Sequence, residues 1–370
     1  MTDAAADNPG RITRISIHGF KSIKALDDLE LRDVNVIVGA NGAGKSNFIE
    51  FFELSGRFAR REIDTYLIKQ GGVENILYFG TKTTNTFTGE LSFPNETYVV
   101  TITPTDTGKA FLGEGASPIG TPIDSEDKLD IHPIDFEFMF PDKAKELKEI
   151  CRNKISEIEA FHFHDTTPNA PLKQNARIQD CDGLAADGRN LPAFLLFLKD
   201  HHPRAFAEIE SAIRRVAPFF GHFILKPDPR APEYVRLRWH HLGSDDYFDV
   251  SDLSDGTLRF IALATLLLQP DPPPVTVIDE PELGLHPFAL HLLAGIMDSV
   301  KERTQIVCAT QSVAFVNQFS WQDIIVAETP GGMTGGGTQL RRLSENEVTA
   351  WLDDFAMGEL WEKNVIGGRP

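Results

Sequence analysis

Short runs in which apolar and polar residues alternate dominate the first third of the chain. Residues 14–20 (RISIHGF) alternate, and Leu26, Leu29 and Leu31 continue the pattern after a polar turn. This predicts a strand pair near the start. A threonine-rich alternating stretch between about residues 81 and 107 is typical of antiparallel strands. Between these stretches, the apolar residues of segment 48–54 recur with helical spacing and predict one buried helix face.

The middle of the chain predicts helices. Residues 108–130 are rich in Gly, Pro, Ser and Asp and predict a loop. Residues 141–161 and 192–216 have helical periodicity, but neither sustains the heptads of a long coiled coil. Aromatic and polar residues alternate over 161–167 (FHFHDTT), which predicts a strand with a polar face. The alternative is a metal cluster of His162, His164 and Asp165, although no further ligand group of recognisable spacing stands nearby.

Segment 36–49 reads as a strand, a glycine-rich turn and a helix. The turn matches GxxxxGK[ST] at every fixed position. Its glycines let successive backbone N–H groups turn inward, and the helix N-terminus points at the same place, so the segment predicts a polyphosphate site. Lys45 is expected to reach the β- and γ-phosphates, and Ser46 to ligate Mg²⁺. The candidate nucleotide-binding residues of this loop are Gly39, Asn41, Gly42, Gly44, Lys45, Ser46 and Asn47.

Polar residues follow three apolar segments in the last third of the chain. Ser254 and Gly256 precede the helix predicted over 260–268, as a second anion-binding position or simply as a helix cap. The strand predicted over 274–279 ends in Asp279 and Glu280, which are suited to hold Mg²⁺ through water and to polarise the attacking water. The strand over 305–310 leads to Gln311, which is placed to sense the γ-phosphate.

Composition limits the cellular setting and the partners. The 370 residues are 41% hydrophobic, enough for one large domain with an insertion or for two domains. The three cysteines are widely separated, and the sequence shows neither an apolar stretch of membrane-spanning length nor a signal-peptide pattern. These features predict a cytoplasmic protein without a membrane partner. The net charge of −18 disfavours DNA unless a local basic patch binds it. The candidate patches, each also readable as a solvated surface cluster, are Arg57, Arg60 and Arg61; Arg214 and Arg215; and Arg341 and Arg342.

The motifs GANGAGKSN, LSDGT, VIDEPELGLHP and ATQS, in this order, resemble those of ABC-type ATPase heads of the SMC/RecF/OLD group. The resemblance implies an α/β fold with a mixed sheet covered by helices on both faces, an antiparallel β subdomain and a helical insertion. It also implies ATP and Mg²⁺ as cofactors. By motif, segment 39–46 resembles Walker A, segment 253–257 the signature that caps the γ-phosphate of a partner subunit, Asp279 and Glu280 the Walker B pair, and Gln311 the switch residue.

The chain departs from the family pattern at three positions. The signature reads LSDGT rather than LSGGQ, His286 stands where transporter-like heads carry an aspartate, and the switch residue is Gln rather than His. The motifs do not place the glutamine of the Q-loop, for which Gln70 and Gln174 are both candidates. Members of the OLD branch continue into a Toprim nuclease domain, for which we expect no room after Ser312.

These observations predict a division of the chain and a function. We expect a disordered N-terminus over 1–10, a first ATPase lobe over 11–107, a loop and helical insertion over 108–220, a second lobe over 221–345 and a tail over 346–370. The predicted function is Mg²⁺-dependent ATP hydrolysis by a head-to-tail homodimer that switches a partner protein or DNA, in DNA maintenance or phage defence. The alternatives are a binding switch without significant turnover and a nuclease subunit using the metal cluster of His162, His164 and Asp165.

Overall fold

The computed structural model describes residues 9–105, 108–119, 137, 139–330, 336–351 and 354–368. Most of the segment predicted as a disordered N-terminus therefore lies outside the described residues. The strands are β1 (Arg14–Phe20), β2 (Ile23–Glu30), β3 (Val34–Val38), β4 (Phe87–Ser92), β5 (Glu96–Pro104), β6 (Ala110–Pro118), β7 (Glu159–Phe161), β8 (Ala176–Arg177), β9 (Phe220–Ile224), β10 (Pro227–Asp228), β11 (Ala231–Val235), β12 (Arg238–His241), β13 (Tyr247–Asp249), β14 (Val275–Asp279), β15 (Gln305–Thr310), β16 (Ile324–Glu328) and β17 (Gln339–Arg342).

Ten α-helices stand between or after these strands in the described part of the chain. They are α1 (Lys45–Ala59), α2 (Ile63–Lys69), α3 (Pro141–Ser156), α4 (Leu191–His201), α5 (Pro203–Val216), α6 (Asp255–Leu268), α7 (Pro287–Val300), α8 (Val313–Val316), α9 (Glu345–Val348) and α10 (Met357–Glu362). Within the described residues, no helix has the length and apolar character needed to cross a membrane.

A mixed sheet forms the centre of the molecule, with its strands in the order β17-β16-β3-β15-β14-β7. Pairing is parallel except between β16 and β17. The inner strands β3, β15 and β14 are almost entirely buried because both faces of the sheet are covered. In β3, Val36 and Val38 pack into one hydrophobic cluster with α4 to α7, whereas Ile37 packs into the other with α1 and α3. The predicted mixed sheet with helices on both faces is confirmed.

An antiparallel sheet packs beside α1, with its strands in the order β2-β1-β4-β5-β6. The predicted strand pair is β1 and β2, and the threonine-rich stretch supplies β4 and β5. The prediction of a loop over 108–130 is wrong for Ala110–Pro118, which pairs with β5 along its whole length. Glycine and proline weaken a strand, but this one is an edge strand, where they are tolerated. The rest of that predicted loop lies almost entirely outside the described residues.

Two helices predicted for the middle of the chain differ from the helices in the structure. Helix α3 ends at Ser156 instead of continuing to Phe161, because Glu159–Phe161 turns into a strand that pairs with β14. The predicted helix over 192–216 is two helices, α4 and α5, which are separated at His202. Pro203 causes this break, since proline disfavours the helical conformation of the residue before it.

The last described residues fold back onto the central sheet. Trp361 in α10 is completely buried and donates a hydrogen bond from its indole nitrogen to the Gly368 carbonyl. The Gly368 amide donates in turn to Glu328 at 2.6 Å. A Cβ on Gly368 would lie 3.5 Å from the Cα of Gly39. Residues 357–368 therefore support the loop that follows β3.

Candidate functional site

The glycine-rich turn between β3 and α1 is held by contacts from distant segments. Gly42 and Gly44 have φ of +79° and +95°, which L side chains rarely adopt. A Cβ on Gly44 would also stand only 2.0 Å from Thr338 Oγ1. The hydroxyls of Thr338 and Ser22 share a 2.7 Å hydrogen bond, and the Ser22 hydroxyl accepts another at 2.6 Å from the side-chain amide of Asn47. The predicted phosphate loop is thus fixed from outside, and Asn41 stays exposed at its tip.

Lys45 lies inside this loop. Its buried ammonium group donates to the carbonyls of Gly39 at 2.6 Å and Ala40 at 3.0 Å. Burial lowers the pKa of Lys45, whereas the nearby carboxylates of Glu280, Asp279 and Glu282 act in the opposite direction. The cation therefore stands between the loop and a group of acids, where it would meet a bound polyphosphate.

Asp279 and Ser46 meet at the same edge of the sheet. Strand β15 lies between β3 and β14 in parallel, so the carboxyl ends of all three strands are neighbours. The Ser46 hydroxyl lies beside the Asp279 carboxylate. Burial raises the pKa of Asp279. A hydroxyl and a carboxylate in contact are oxygen ligands of the kind that Mg²⁺ takes in nucleotide sites, so these residues fit that ion.

Glu280 adopts a left-handed backbone conformation, with φ of +43°. Such strain in a residue other than glycine is held only where the surroundings require it. The Glu280 amide donates to Ala309 at 2.9 Å, and the side-chain amide of Gln311 donates to Glu280 Oε1 at 2.5 Å. The structure therefore brings together the two residues that the sequence predicts as catalytic.

A third acid, Glu282, holds the backbone on which Gln311 stands. Its Oε1 accepts a hydrogen bond from the Gln311 backbone amide at 2.8 Å. Burial raises the pKa of Glu282, whose other carboxylate oxygen is buried without a partner among the described residues. Glu282 was not among the site residues predicted from the sequence. The sequence feature that could have revealed it is a further acid two residues after Glu280, in a glycine-containing loop.

The signature segment begins helix α6. Ser254 is the N-cap, and its hydroxyl accepts from the Thr257 amide at 3.1 Å. Gly256 packs so closely on the loop after Glu280 that a Cβ there would lie 2.2 Å from the Gly284 carbonyl oxygen. In the described part of the chain, no hydrogen bond joins this segment to the phosphate loop of the same molecule.

Arg259 ties the signature helix to the Walker B-like segment. Its guanidinium donates to the carbonyls of Phe163 at 3.0 Å, His164 at 2.6 Å and Leu283 at 2.7 Å. Arg259 was not predicted from the sequence either, because its partners lie 96, 95 and 24 positions away. Arg259 fixes the end of the β7 segment and the loop after Glu280 in one arrangement.

The histidine cluster differs from the predicted one. His162, His164 and Asp279 place one ligand atom each within 4.8 Å of one another. Asp165, predicted as the third member, is exposed and accepts hydrogen bonds from the amide and hydroxyl of Thr167 instead. Burial lowers the pKa of His164. The cluster therefore lies at the sheet edge where Ser46 and Asp279 meet.

The remaining candidate residues have structural partners. Gln70 accepts from Lys21 at 3.4 Å, Gln174 donates to the Ala170 carbonyl at 3.4 Å, and His286 caps α7. Most arginines of the three candidate basic patches bind partners within the chain; these are Arg57 with Glu62, Arg60 with the Ser156 carbonyl, Arg214 with the Gly221 carbonyl, Arg341 with Glu347, and Arg342 with the Glu30 and Gln322 carbonyls.

The fold and the arrangement of this edge define an SMC/RecF-like ABC-type ATPase head. Residues 34–317 match the family described as "AAA domain, putative AbiEii toxin, Type IV TA system", and the chain belongs to it. No curated protein matches.

Solved structures of similar fold are SMC heads. The Smc head bound to the C-winged helix domain of ScpA has a TM-score of 0.59 and 15% identity, covering 92% of this chain and 99% of the other. A Smc head with an extended coiled coil, bound to the C-terminal domain of ScpA derived from Pyrococcus furiosus, has a TM-score of 0.58 and 15% identity, covering 93% and 99%. At this identity, the similarity concerns the fold.

Proposed function

We propose that this chain binds ATP with Mg²⁺ and hydrolyses it as a head-to-tail homodimer. The observation that carries the proposal is the convergence at one sheet edge of buried Lys45, the Ser46 and Asp279 contact, and the 2.5 Å bond between Glu280 and Gln311. The family and the fold support a nucleotide-binding ATPase. The residue roles, the dimer and the use of Mg²⁺ are our inference.

The residues at this edge suit phosphoryl transfer to water. The backbone amides of segment 39–46 and the Lys45 ammonium would bind the triphosphate, whose charge Lys45 offsets through charge-assisted hydrogen bonds. Ser46 and Asp279 would hold Mg²⁺, which neutralises charge on the phosphate oxygens when bound. Glu280 would orient the attacking water and accept its proton. Gln311 would fix the Glu280 carboxylate and contact the γ-phosphate.

The signature segment supports a composite site between two chains. Ser254 and Gly256 stand at the N-terminus of a 14-residue helix, where an anion is stabilised. Because no hydrogen bond in the described part links them to their own phosphate loop, we infer that they face the γ-phosphate bound by a second copy. Two-fold symmetry would then form two equal sites.

We further infer that the ATP-driven closure acts on a partner protein. Both similar SMC heads were solved with a domain of ScpA bound, which favours a protein partner for this head. DNA is less favoured by the net charge of −18. The description of the family favours a role in defence over one in DNA maintenance. We propose that the protein acts in the cytoplasm.

Steady-state phosphate release tests the enzymatic proposal. Purified protein with ATP and Mg²⁺ should release phosphate, and Lys45→Ala should abolish the release. ATP binding by calorimetry without phosphate release above the Lys45→Ala background would contradict hydrolysis and support the binding switch. Absence of ATP binding would contradict the proposal as a whole.

A further inference from the structure

Two histidines stand beside the Walker B-like aspartate because of the sheet register. Strand β7 runs parallel to β14, with Phe161 opposite Ile278. His162 follows Phe161 and Asp279 follows Ile278, so these two residues come to the same edge of the sheet. His164 joins them, and the three ligand atoms lie within 4.8 Å of one another.

The extended backbone directs both imidazoles to this edge. Phe161 and Phe163 are buried in the core, so the histidines that alternate with them point the opposite way. The His162 amide donates to Ala186 at 2.9 Å, and Arg259 holds the carbonyls of Phe163 and His164. Among the described residues, neither imidazole ring forms a hydrogen bond, so both retain a nitrogen for a ligand.

We propose that His162, His164 and Asp279 form a binding site for a divalent transition-metal ion, such as Mn²⁺ or Zn²⁺, that excludes Mg²⁺ while no nucleotide is bound. Imidazole is a ligand of Zn²⁺ and other transition metals, whereas Mg²⁺ prefers oxygen. Three protein ligands leave positions open, as in catalytic metal sites.

The geometry needs only a small adjustment to hold an ion. Ligand atoms at about 2.1 Å from one ion are at most about 4.2 Å apart. Because the ligand atoms of the cluster lie within 4.8 Å of one another, a closure of at most about 0.6 Å brings every pair within about 4.2 Å. Rotation of His162, which is exposed, can supply this movement.

The proposal deepens the proposed function, since Asp279 would belong to both sites, but metal binding itself does not depend on ATP. One ion would connect the β7 edge with the Ser46 and Asp279 pair.

Metal titration of the nucleotide-free full chain tests the site. We expect metal-stripped protein to bind one Mn²⁺ per chain in calorimetry, with Zn²⁺ competing and Mg²⁺ giving no heat at the same concentrations. His162→Ala and His164→Ala should each weaken Mn²⁺ binding at least ~10-fold, with unchanged circular dichroism. Asp165→Asn is the matched control, since it alters the acid that the sequence pattern places beside the histidines, and it should bind Mn²⁺ like the wild type.

The outcomes separate the two proposals. Lys45→Ala should lose ATP binding and retain Mn²⁺ binding, because Lys45 is not a ligand in the cluster. The site is refuted if wild-type protein takes up neither Mn²⁺ nor Zn²⁺, or if the variant combining His162→Ala and His164→Ala binds either ion with wild-type affinity. In either case, intact ATP hydrolysis would leave the proposed function standing. Mn²⁺ binding without any ATP binding would refute the proposed function alone.

Discussion

Replacement of Glu280 by glutamine separates nucleotide binding from hydrolysis. Glutamine keeps the size of the side chain and an oxygen that can accept the 2.5 Å bond from Gln311. The backbone strain at φ +43° stays the same for either residue. The change removes the proton acceptor and one of the acids around Lys45.

We therefore expect Glu280→Gln to retain ATP binding, with equal or higher affinity, because one negative charge near the triphosphate is lost. Hydrolysis should fall at least ~100-fold, the usual minimum for loss of a general base. This corresponds to about 2.7 kcal/mol of transition-state stabilisation. Calorimetry measures the first quantity, and single-turnover phosphate release measures the second.

The matched control is Glu302→Gln, the same chemical change at an exposed position remote from the sheet edge. It should hydrolyse ATP like the wild type. If Glu280→Gln retains turnover within tenfold of wild type, another group activates the water, and the role assigned to Glu280 is refuted. Gln311 would then be the next residue to replace.

Three further variants and one control variant test other parts of the account. Lys45→Ala should lose most ATP affinity, since a buried charge-assisted donor is removed; unchanged affinity in calorimetry would contradict this. Burial raises the pKa of Glu282, so its contribution to the free energy of unfolding is greatest below pH 4.5 and falls as the pH rises through the raised pKa. Denaturant titrations should show that Glu282→Gln loses this decline, and an identical pH dependence in both proteins would refute it. Gly256→Ala should destabilise the fold by about 1–3 kcal/mol, because its Cβ meets the Gly284 carbonyl oxygen at 2.2 Å. Gly295→Ala, a helix position where a Cβ meets nothing within 4 Å, should be neutral or stabilising.

Local sequence predicted the parts of the site that local geometry builds. The phosphate loop follows from glycine conformation and a helix N-terminus within eight residues, so its motif sufficed. Short apolar runs in the sequence predicted that two strands end near Asp279 and Thr310. The alternation in segment 161–167 indicated that both histidines lie opposite the buried Phe161 and Phe163, but the predicted strand is wrong beyond Phe161, where β7 ends.

The remainder depends on contacts between distant segments. Strand β7 has three residues, and pairing with β14 rather than intrinsic preference makes it a strand. The acid beside the histidines is Asp279 rather than the predicted Asp165, because the register between β7 and β14 places Asp279 there. Ser22 and Thr338, which are 316 positions apart, meet over the phosphate loop. Such juxtapositions leave no periodic pattern in a single sequence, so the roles of Arg259 and Glu282 were also missed.

The composite site between two chains is the central claim, and mixing two inactive variants tests it most directly. Ser254→Arg should bind ATP as a monomer but neither dimerise nor hydrolyse it, because the bulky cation would block the γ-phosphate of the partner subunit. Lys45→Ala should be inactive through loss of ATP binding.

A heterodimer of these two variants has one intact site. Random pairing of equal amounts should therefore restore about a quarter of all wild-type sites, fewer if the two sites must close together. Phosphate release from the mixture, compared with each variant alone, is the measurement. Recovery of up to about a quarter of the wild-type rate is the predicted result. A mixture no more active than its components, together with normal hydrolysis by Ser254→Arg alone, would contradict the composite site.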